Sequence, residues 1–276
     1  MSEINSIVFL HIPKAGGMTL HRIIERQYDH GEIYTLDPSG DFVGQMEGFK
    51  LLPQERRMKF KMLKGHMLFR ARLDEYMPQP SAYITLLRDP IERIISYYYI
   101  LDNPHHYLNE VLISRRLELK EFVESGMPTE LNNFQTDLLS TVDPVLLKKY
   151  GPKNYPWDIL LESAKSNLLQ HFLVVGVLER FDEFLVLLKR SLGWQIHPYS
   201  RQNVTSNRPS REAISEDTIA VIKACCRYDM ELYRFACGRM DELVAQQDGT
   251  FPEEVKRFSA LDSGILTTHC RSGKAP

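Results

Sequence analysis

Continuous apolar runs recur along the chain at Ile7–Ile12, Tyr83–Leu87 and Phe172–Leu178, with a weaker one at Met62–Gly65. Runs of this kind, rich in β-branched residues, predict strands of a parallel sheet covered on both faces. Between them the period changes to that of helices. Asp89-Pro90-Ile91-Glu92 reads as an N-cap, a proline at the first helical position and a capping-box glutamate. Phe181, Phe184, Leu185, Leu188 and Leu192 form one apolar stripe, ended near Gly193, and Trp157, Leu160, Leu161, Ala164 and Leu168 form another. Ser215 opens a last long helix whose inner face includes Ile219, Ile222, Cys226, Met230 and Tyr233. Residues 103–156 are mostly polar with several prolines and are expected to form a helical insertion. After Gly249 no clear period is visible, so residues 250–276 are expected to be loosely held. The pattern predicts an α/β fold in one domain over 1–249, with a central parallel sheet flanked by helices.

Composition narrows the function classes. The chain has 276 residues, 43% of them hydrophobic, enough for one sizeable core. A formal charge of −2 gives no global field favouring nucleic acid. No run approaches the ~18–20 apolar residues of a membrane span. The first apolar run follows Glu3 and passes straight into a Pro-Lys-Gly loop, unlike a signal peptide. A cytoplasmic location is therefore the expectation. Cys225, Cys226, Cys237 and Cys270 include no CxxC pair and fit reduced thiols. No His/Cys/Asp spacing typical of a metal site is present, so no metal is expected.

Candidate chemistry begins at residues 7–20, IVFLHIPKAGGMTL. A buried strand ends in a loop with Lys14, Gly16 and Gly17, and a helix starts at Thr19 or just before it. Backbone N–H groups at a helix start, together with a lysine, suit a phosphate-like anion. In the Walker pattern the lysine follows the glycines; here Lys14 precedes them, and no GxGxxG is present. The bland alternative is a tight turn with a solvated lysine. A second segment, YITLLRDPIERIISYYY (83–99), delivers Arg88 to a strand's carboxyl end, where open α/β sheets bind ligands. Ser96 lies roughly 10 Å farther along the following helix, at ~1.5 Å per residue. Alone, such an arginine is more often a surface ion pair; beside the first loop it reads as a phosphate ligand.

IPKAGGMTL and TLLRDPIERIIS resemble the two phosphate-binding motifs of sulfotransferases that use 3′-phosphoadenosine 5′-phosphosulfate (PAPS). The similarity is to the carbohydrate-type family that includes heparan sulfate 2-O- and 6-O-sulfotransferases and bacterial members. NNFQTDLLS (132–140), VGVLERFDEFLVLLKRSLGW (175–194), NVTSNRP (203–209) and DMELYRFA (229–236) support it, so the resemblance spans about residues 7–237. It implies a P-loop-like three-layer fold. It implies that Lys14, Gly16, Gly17 and Thr19 hold the 5′-phosphosulfate, with Ala15 and Met18 contributing backbone N–H groups only. It implies that Arg88 and Ser96 hold the 3′-phosphate. Ala15 and Met18 stand where the family usually has threonines, and Asp137 where members often carry arginine.

Sulfuryl transfer to an alcohol needs a base and a group that stabilises charge on the departing phosphate. Lys14 suits the second role. For the base, His66 ranks first. KMLKGHMLF places it after a strand, and Gly65-His66-x-x-Phe69 resembles the element carrying the catalytic histidine of the 2-O-sulfotransferases. His11 comes next but reads as structural; His105 and His106 read as loop residues. Arg56, Arg57, Lys59, Lys61, Lys64, Arg70 and Arg72 crowd residues 56–72 with no acidic residue between them. They form a solvated face or line a cleft for an anionic sugar. The expectation is transfer from PAPS to a hydroxyl of a carbohydrate or glycoconjugate, releasing 3′-phosphoadenosine 5′-phosphate (PAP). The alternatives are a non-catalytic nucleotide-binding relative and a kinase-like phosphoryl transferase.

Overall fold

The computed structural model describes residues 4–37, 41–100, 117–127, 129–142, 155–195, 197, 199 and 208–259. Five parallel strands form one sheet in the order β2-β3-β1-β4-β5. They are β1 (Ser6–Leu10), β2 (Ile33–Thr35), β3 (Met62–Gly65), β4 (Ser81–Leu87) and β5 (Phe172–Val177). Every residue of β1 and β3 is buried, as strands covered on both faces must be. Leu10 pairs with Gly65 on one side and Thr85 on the other. The loop after β1, His66 after β3 and Arg88 after β4 therefore share one edge of the sheet. The strand missed by the sequence pattern is β2, three residues long and only partly buried, too short to display a period.

The flanking helices are α1 (Gly17–Ile24), α2 (Phe42–Lys50), α3 (Gln54–Arg57), α4 (Pro90–Ile100), α5 (Leu119–Glu124), α6 (Phe134–Leu139), α7 (Trp157–Gln170), α8 (Phe181–Leu192), α9 (Glu216–Cys225) and α10 (Arg227–Ala245). The described parts of the 103–156 segment are short helical pieces, including α5 and α6. His105 and His106 lie outside the described residues. The α8 stripe is buried as read, and Gly193 ends that helix at φ 69°. In α7, Leu160, Leu161, Ala164 and Leu168 face the core, but Trp157 stays half-exposed at the first position.

Three expectations change. The last helix is broken at Cys226 (φ −111°, ψ 31°) into α9 and α10. The break creates a new helix start, where Asn133 Oδ1 accepts the N–H groups of Tyr228 (2.8 Å) and Asp229 (3.1 Å). Asp229 in turn accepts from Gln135 N (3.2 Å), Thr136 N (2.8 Å) and the Thr136 hydroxyl (2.8 Å) at the start of α6. The two helices cap each other. Second, the capping box at α4 is only half formed. Asp89 Oδ1 accepts from Ile91 N and Glu92 N, but the Asp89 N–H donates to Glu179 Oε1. Glu92 is drawn instead to Arg208. Third, the loosely held tail does not begin at 250. Residues 251–259 are helical, Phe251 and Phe258 are buried, and Glu254 pairs with Lys189 and Arg190. Phe251, Val255 and Phe258 carry a helical spacing. Residues 260–276 lie outside the described residues.

Asp229 also faces Arg93 Nη2 at 3.9 Å, with both side chains fully buried. Arg93 Nη2 donates to Glu130 O (2.5 Å), while its Nε and Nη1 make no hydrogen bond among the described residues. Removing the carboxylate would strand a buried cation and uncap α6. Asp229→Ala is expected to cost about 3–5 kcal/mol, and Asp229→Asn, which keeps an acceptor oxygen, less. Urea unfolding midpoints of the two variants check this order.

Candidate active site

The chain leaves β1 through His11–Gly16 and turns into α1. Lys14 (φ 68°) and Gly16 (φ 78°) both take the left-handed conformation. For a lysine this costs about 1–3 kcal/mol, which the surrounding packing must hold in place. A Cβ on Gly16 would meet Leu178 Cδ1 at 2.4 Å, and one on Gly17 would meet His11 Cδ2 and Nε2 at 2.0 Å. The glycines thus serve close packing against β5's exit and the His11 ring as well as backbone access. Ala15 and Thr19 are buried, and Met18 is exposed at the start of α1.

Arg88 leaves β4 toward this loop, and its Nη1 donates to Lys14 O at 3.0 Å. Its backbone is gripped from both sides by Gln135, whose Oε1 accepts from Arg88 N (3.1 Å) and whose Nε2 donates to Arg88 O (3.0 Å). Arg208 joins the cluster from the C-terminal half. Its Nη1 donates to Glu92 O (3.2 Å), and its Nη2 is bonded to Glu92 Oε2, which lies 3.7 Å from Arg88 Nη2. Burial and then the charges of Arg88 and Arg208 depress the Lys14 ammonium to about 8. Burial and Arg208 likewise depress Arg88 to about 10. Lys14 has no carboxylate partner among the described residues. Two arginines and a lysine around one loop, with Glu92 shared between the arginines, make a cluster suited to an anion. Ser96 is buried on α4 beyond Glu92, with no hydrogen bond to Arg88. Arg88 thus comes together with Lys14.

His66 stands at the same edge, after β3. Its Nδ1 lies 2.9 Å from His11 O. A carbonyl only accepts, so Nδ1 carries the proton and Nε2 keeps its lone pair. The His66 ring stacks on His11 at 4.3 Å and 25°. His11 Nδ1 meets His21 Nε2 at 3.1 Å. Burial, then the His66 and His21 charges, hold His11 well below the ordinary histidine value. His21 is pushed down to about 3 by burial, Lys64 and His66. Burial lowers His66 too, opposed by its bond to His11 O. His11 is buried under the loop, and the His66 ring rests on it. Among the described residues no group of His, Cys, Asp and Glu is placed to hold a metal.

The basic stretch 56–72 is largely neutralised within the fold. Arg57 donates to Lys50 O and Leu52 O. Lys61 pairs with Glu32, Lys64 with Glu25, Arg70 with Asp137, and Arg72 with Asp74 and Glu75. Arg56 and Lys59 are exposed and have no such partner among the described residues. Arg208, Gln135 and Glu92 are the site residues the sequence reading did not assign. Gln135 and Arg208 sit within NNFQTDLLS and NVTSNRP, but nothing local marks which side chains there turn inward.

The fold is a parallel α/β sheet whose carboxyl edge, where such sheets receive their ligands, gathers Lys14, Arg88 and Arg208. A family profile described as galactose-3-O-sulfotransferase matches residues 2–260, and the chain belongs to that family. A heparin sulfate O-sulfotransferase of Drosophila melanogaster is 28% identical over 213 residues, 71% of this chain and 59% of the relative. A heparan sulfate 2-O-sulfotransferase 1 of Xenopus laevis is 24% identical over 266 residues, 88% of this chain and 74% of the relative. The chain thus spans less than two thirds of the Drosophila protein. A crystal structure of mouse sulfotransferase SULT7A1 complexed with PAP aligns over 83% of this chain and 66% of that one, with 17% identity and a TM-score of 0.38. Among the described residues no helix is long and apolar enough to cross a membrane.

The neutral histidine stack carries a pH signature. In the unfolded chain His11 takes up its proton near 6.5, whereas in the fold it stays neutral well below that. Its share of stability is therefore present above pH 6.5 and lost as pH falls toward the folded value. Between pH 6 and pH 5 the stability is expected to drop with a slope approaching about 1.4 kcal/mol per pH unit from His11 alone. Urea unfolding across that window measures the slope, and His11→Phe should remove the His11 share while that of His21 remains.

Proposed function

We propose that this chain is a sulfotransferase that moves the sulfuryl group of PAPS to a hydroxyl of a carbohydrate acceptor. The observation that carries the reading is the pairing at one sheet edge of a neutral, tautomer-fixed His66 with the Lys14–Arg88–Arg208 cluster. The family and the names of its relatives favour the same donor and acceptor class. Loop 14–19 would hold the 5′-phosphosulfate, Lys14 with charge and the rest with backbone N–H groups. Arg88, supported by Arg208 and with Ser96 deeper along α4, would hold the 3′-phosphate. No metal enters the scheme. The kinase-like alternative lacks support because Lys14 precedes the glycines.

In the reaction the acceptor oxygen attacks sulfur while the bond from sulfur to the 5′-phosphate oxygen breaks. The hydroxyl proton passes to His66 Nε2. Protonation makes His66 an imidazolium whose Nδ1–H remains bonded to His11 O, so the ring does not have to turn. Charge builds on the departing phosphate, where the Lys14 ammonium gains attraction.

Calorimetry is expected to show PAP binding with ATP far weaker; ATP binding without PAP binding would overturn the reading. His66→Ala should lower kcat by about 10²–10⁴ and Lys14→Ala by about 10²–10³, with PAP affinity retained in the first. The pH profile follows from the two groups. Lys14 must be protonated, so kcat/KM should fall as pH rises through about 8. His66 must be neutral, so the acid limb should lie below 6.5, the ordinary histidine value from which burial lowers it. An acid limb above that value would remove His66 as the base.

A further inference from the structure

The exit of β5 reaches both of the other loops at this edge. Leu178, Glu179 and Arg180 form a single 3₁₀ turn between β5 and α8. Leu178 packs against the loop after β1, so closely that a Cβ on Gly16 would meet its Cδ1 at 2.4 Å. Glu179 turns to the loop after β4. Its Oε1 accepts the N–H of Asp89, the residue after Arg88, at 3.1 Å. Its Oε2 accepts the hydroxyl of Tyr233, on α10, at 2.8 Å. Arg180 anchors the same turn, paired with Glu183 on α8 and Asp241 on α10.

Glu179 is exposed, yet each of its carboxylate oxygens is taken by an internal donor. Burial and then the Glu179 charge push the Tyr233 hydroxyl up, so it keeps its proton and donates. The Asp89 N–H lies at a helix start, where backbone donors need acceptors from outside the helix. The Asp89 side chain serves Ile91 N and Glu92 N. Glu92, at the position that could reach back to Asp89 N, is held by Arg208. Glu179 thus supplies from β5 an acceptor that the local sequence does not.

Gln135 takes Arg88 N and Arg88 O, and Glu179 takes the next group, Asp89 N. Three successive backbone groups are therefore held by side chains from two remote segments, which fixes the turn that carries the Arg88 guanidinium. A carboxylate at an anion site works against the anion through its charge, so the place of Glu179 is explained by what its oxygens hold. Leu178 and Glu179 together set how far the loop after β1 stands from the Arg88 turn. A ligand with phosphates at both ends senses that spacing; one with phosphate at a single end does not. We propose that Glu179 is a positioning residue that fixes the spacing between loop 14–19 and the Arg88 turn. It thereby favours a nucleotide with phosphates at both ends over one with phosphate at one end. The proposal rests on the sulfotransferase reading, to which it adds a residue acting through Arg88.

The test uses the full chain. Calorimetry measures PAP, and displacement of PAP measures adenosine 5′-monophosphate, which lacks the 3′-phosphate. Glu179→Ala is expected to weaken PAP about fivefold, the loss of a hydrogen bond to the turn, and to leave adenosine 5′-monophosphate unchanged. In turnover assays the KM for PAPS should rise by the same factor with kcat retained, because Lys14 and His66 are not displaced. Glu179→Gln can accept from Asp89 N and donate to Tyr233 Oη, and should restore PAP binding. Tyr233→Phe, which releases one carboxylate oxygen, should weaken PAP about twofold, again without effect on the monophosphate. If Glu179→Ala does not fold, Tyr233→Phe alone decides. Equal losses for both nucleotides would mark a purely structural role and overturn the proposal. Unchanged PAP affinity in Glu179→Ala or Tyr233→Phe, or a Glu179→Gln as impaired as Glu179→Ala, would overturn it too. Absence of PAP binding by the wild-type chain would instead count against the sulfotransferase reading itself.

Discussion

A single buried carboxylate organises the carboxyl edge of the sheet. Asp229 lies at the start of α10, late in the chain, yet it fixes the start of α6 and balances Arg93 on α4. With α6 fixed, Gln135 is presented to Arg88 and grips both its backbone groups. Strand β4 thus ends with its arginine aimed at the loop after β1. Because ions buried in this way are costly unless paired and hydrogen-bonded, the arrangement has few alternatives. The break at Cys226 follows from the same demand: without a helix start at this point, Asn133 would have no N–H groups to accept. The cost of interrupting a long helix is offset by two reciprocal caps.

The second constraint is steric. His11 fills the space under the loop so closely that only glycine fits at position 17. The same ring forms the base on which His66 lies, and the His11 carbonyl sets the His66 tautomer. A strand-end histidine thereby shapes the anion loop and orients the proposed base without taking part in the chemistry. It stays neutral because it is buried and, secondarily, because His66, His21 and Lys64 around it add like charge.

Much of this edge was legible in the sequence, and the reasons for the remainder are physical. Strands β1, β4 and β5 carry continuous apolar runs, and β3 a weaker one, because both sheet faces are covered, and that signal survives without any knowledge of neighbours. Lys14, Arg88 and His66 could be found because each directly follows such a run. Glu92 was misread because its position satisfies a local rule, the capping box, while a long-range arginine outcompetes the backbone N–H for its carboxylate. Gln135, Arg208 and Asp229 gave no signal because their roles exist only between segments separated by dozens of residues. The charge of the 56–72 stretch also misleads when read alone, since its partners Glu25, Glu32, Asp74 and Asp137 come from elsewhere in the chain or from the other side of a turn. The helix at 251–259 is different: its Phe-Val-Phe spacing was present and was outweighed by the polar residues around it.

The balance of charges around the loop explains why Lys14, rather than either arginine, suits the leaving group in the proposed reaction. Glu92 stands between Arg88 and Arg208 and relieves their repulsion. Lys14 lies beside both guanidinium groups with no carboxylate partner among the described residues, and burial and then these charges bring its ammonium down to about 8. An anion entering the loop would therefore change the energy of Lys14 most. The interaction strengthens further as the phosphate gains charge when the sulfur–oxygen bond breaks, because the attraction grows while the desolvation of the ammonium has already been met by the fold. The arginines, already engaged by Glu92 and by the Lys14 carbonyl, hold the nucleotide with an attraction that changes little along the reaction. Uniform binding and differential binding are thus assigned to different cations of one cluster.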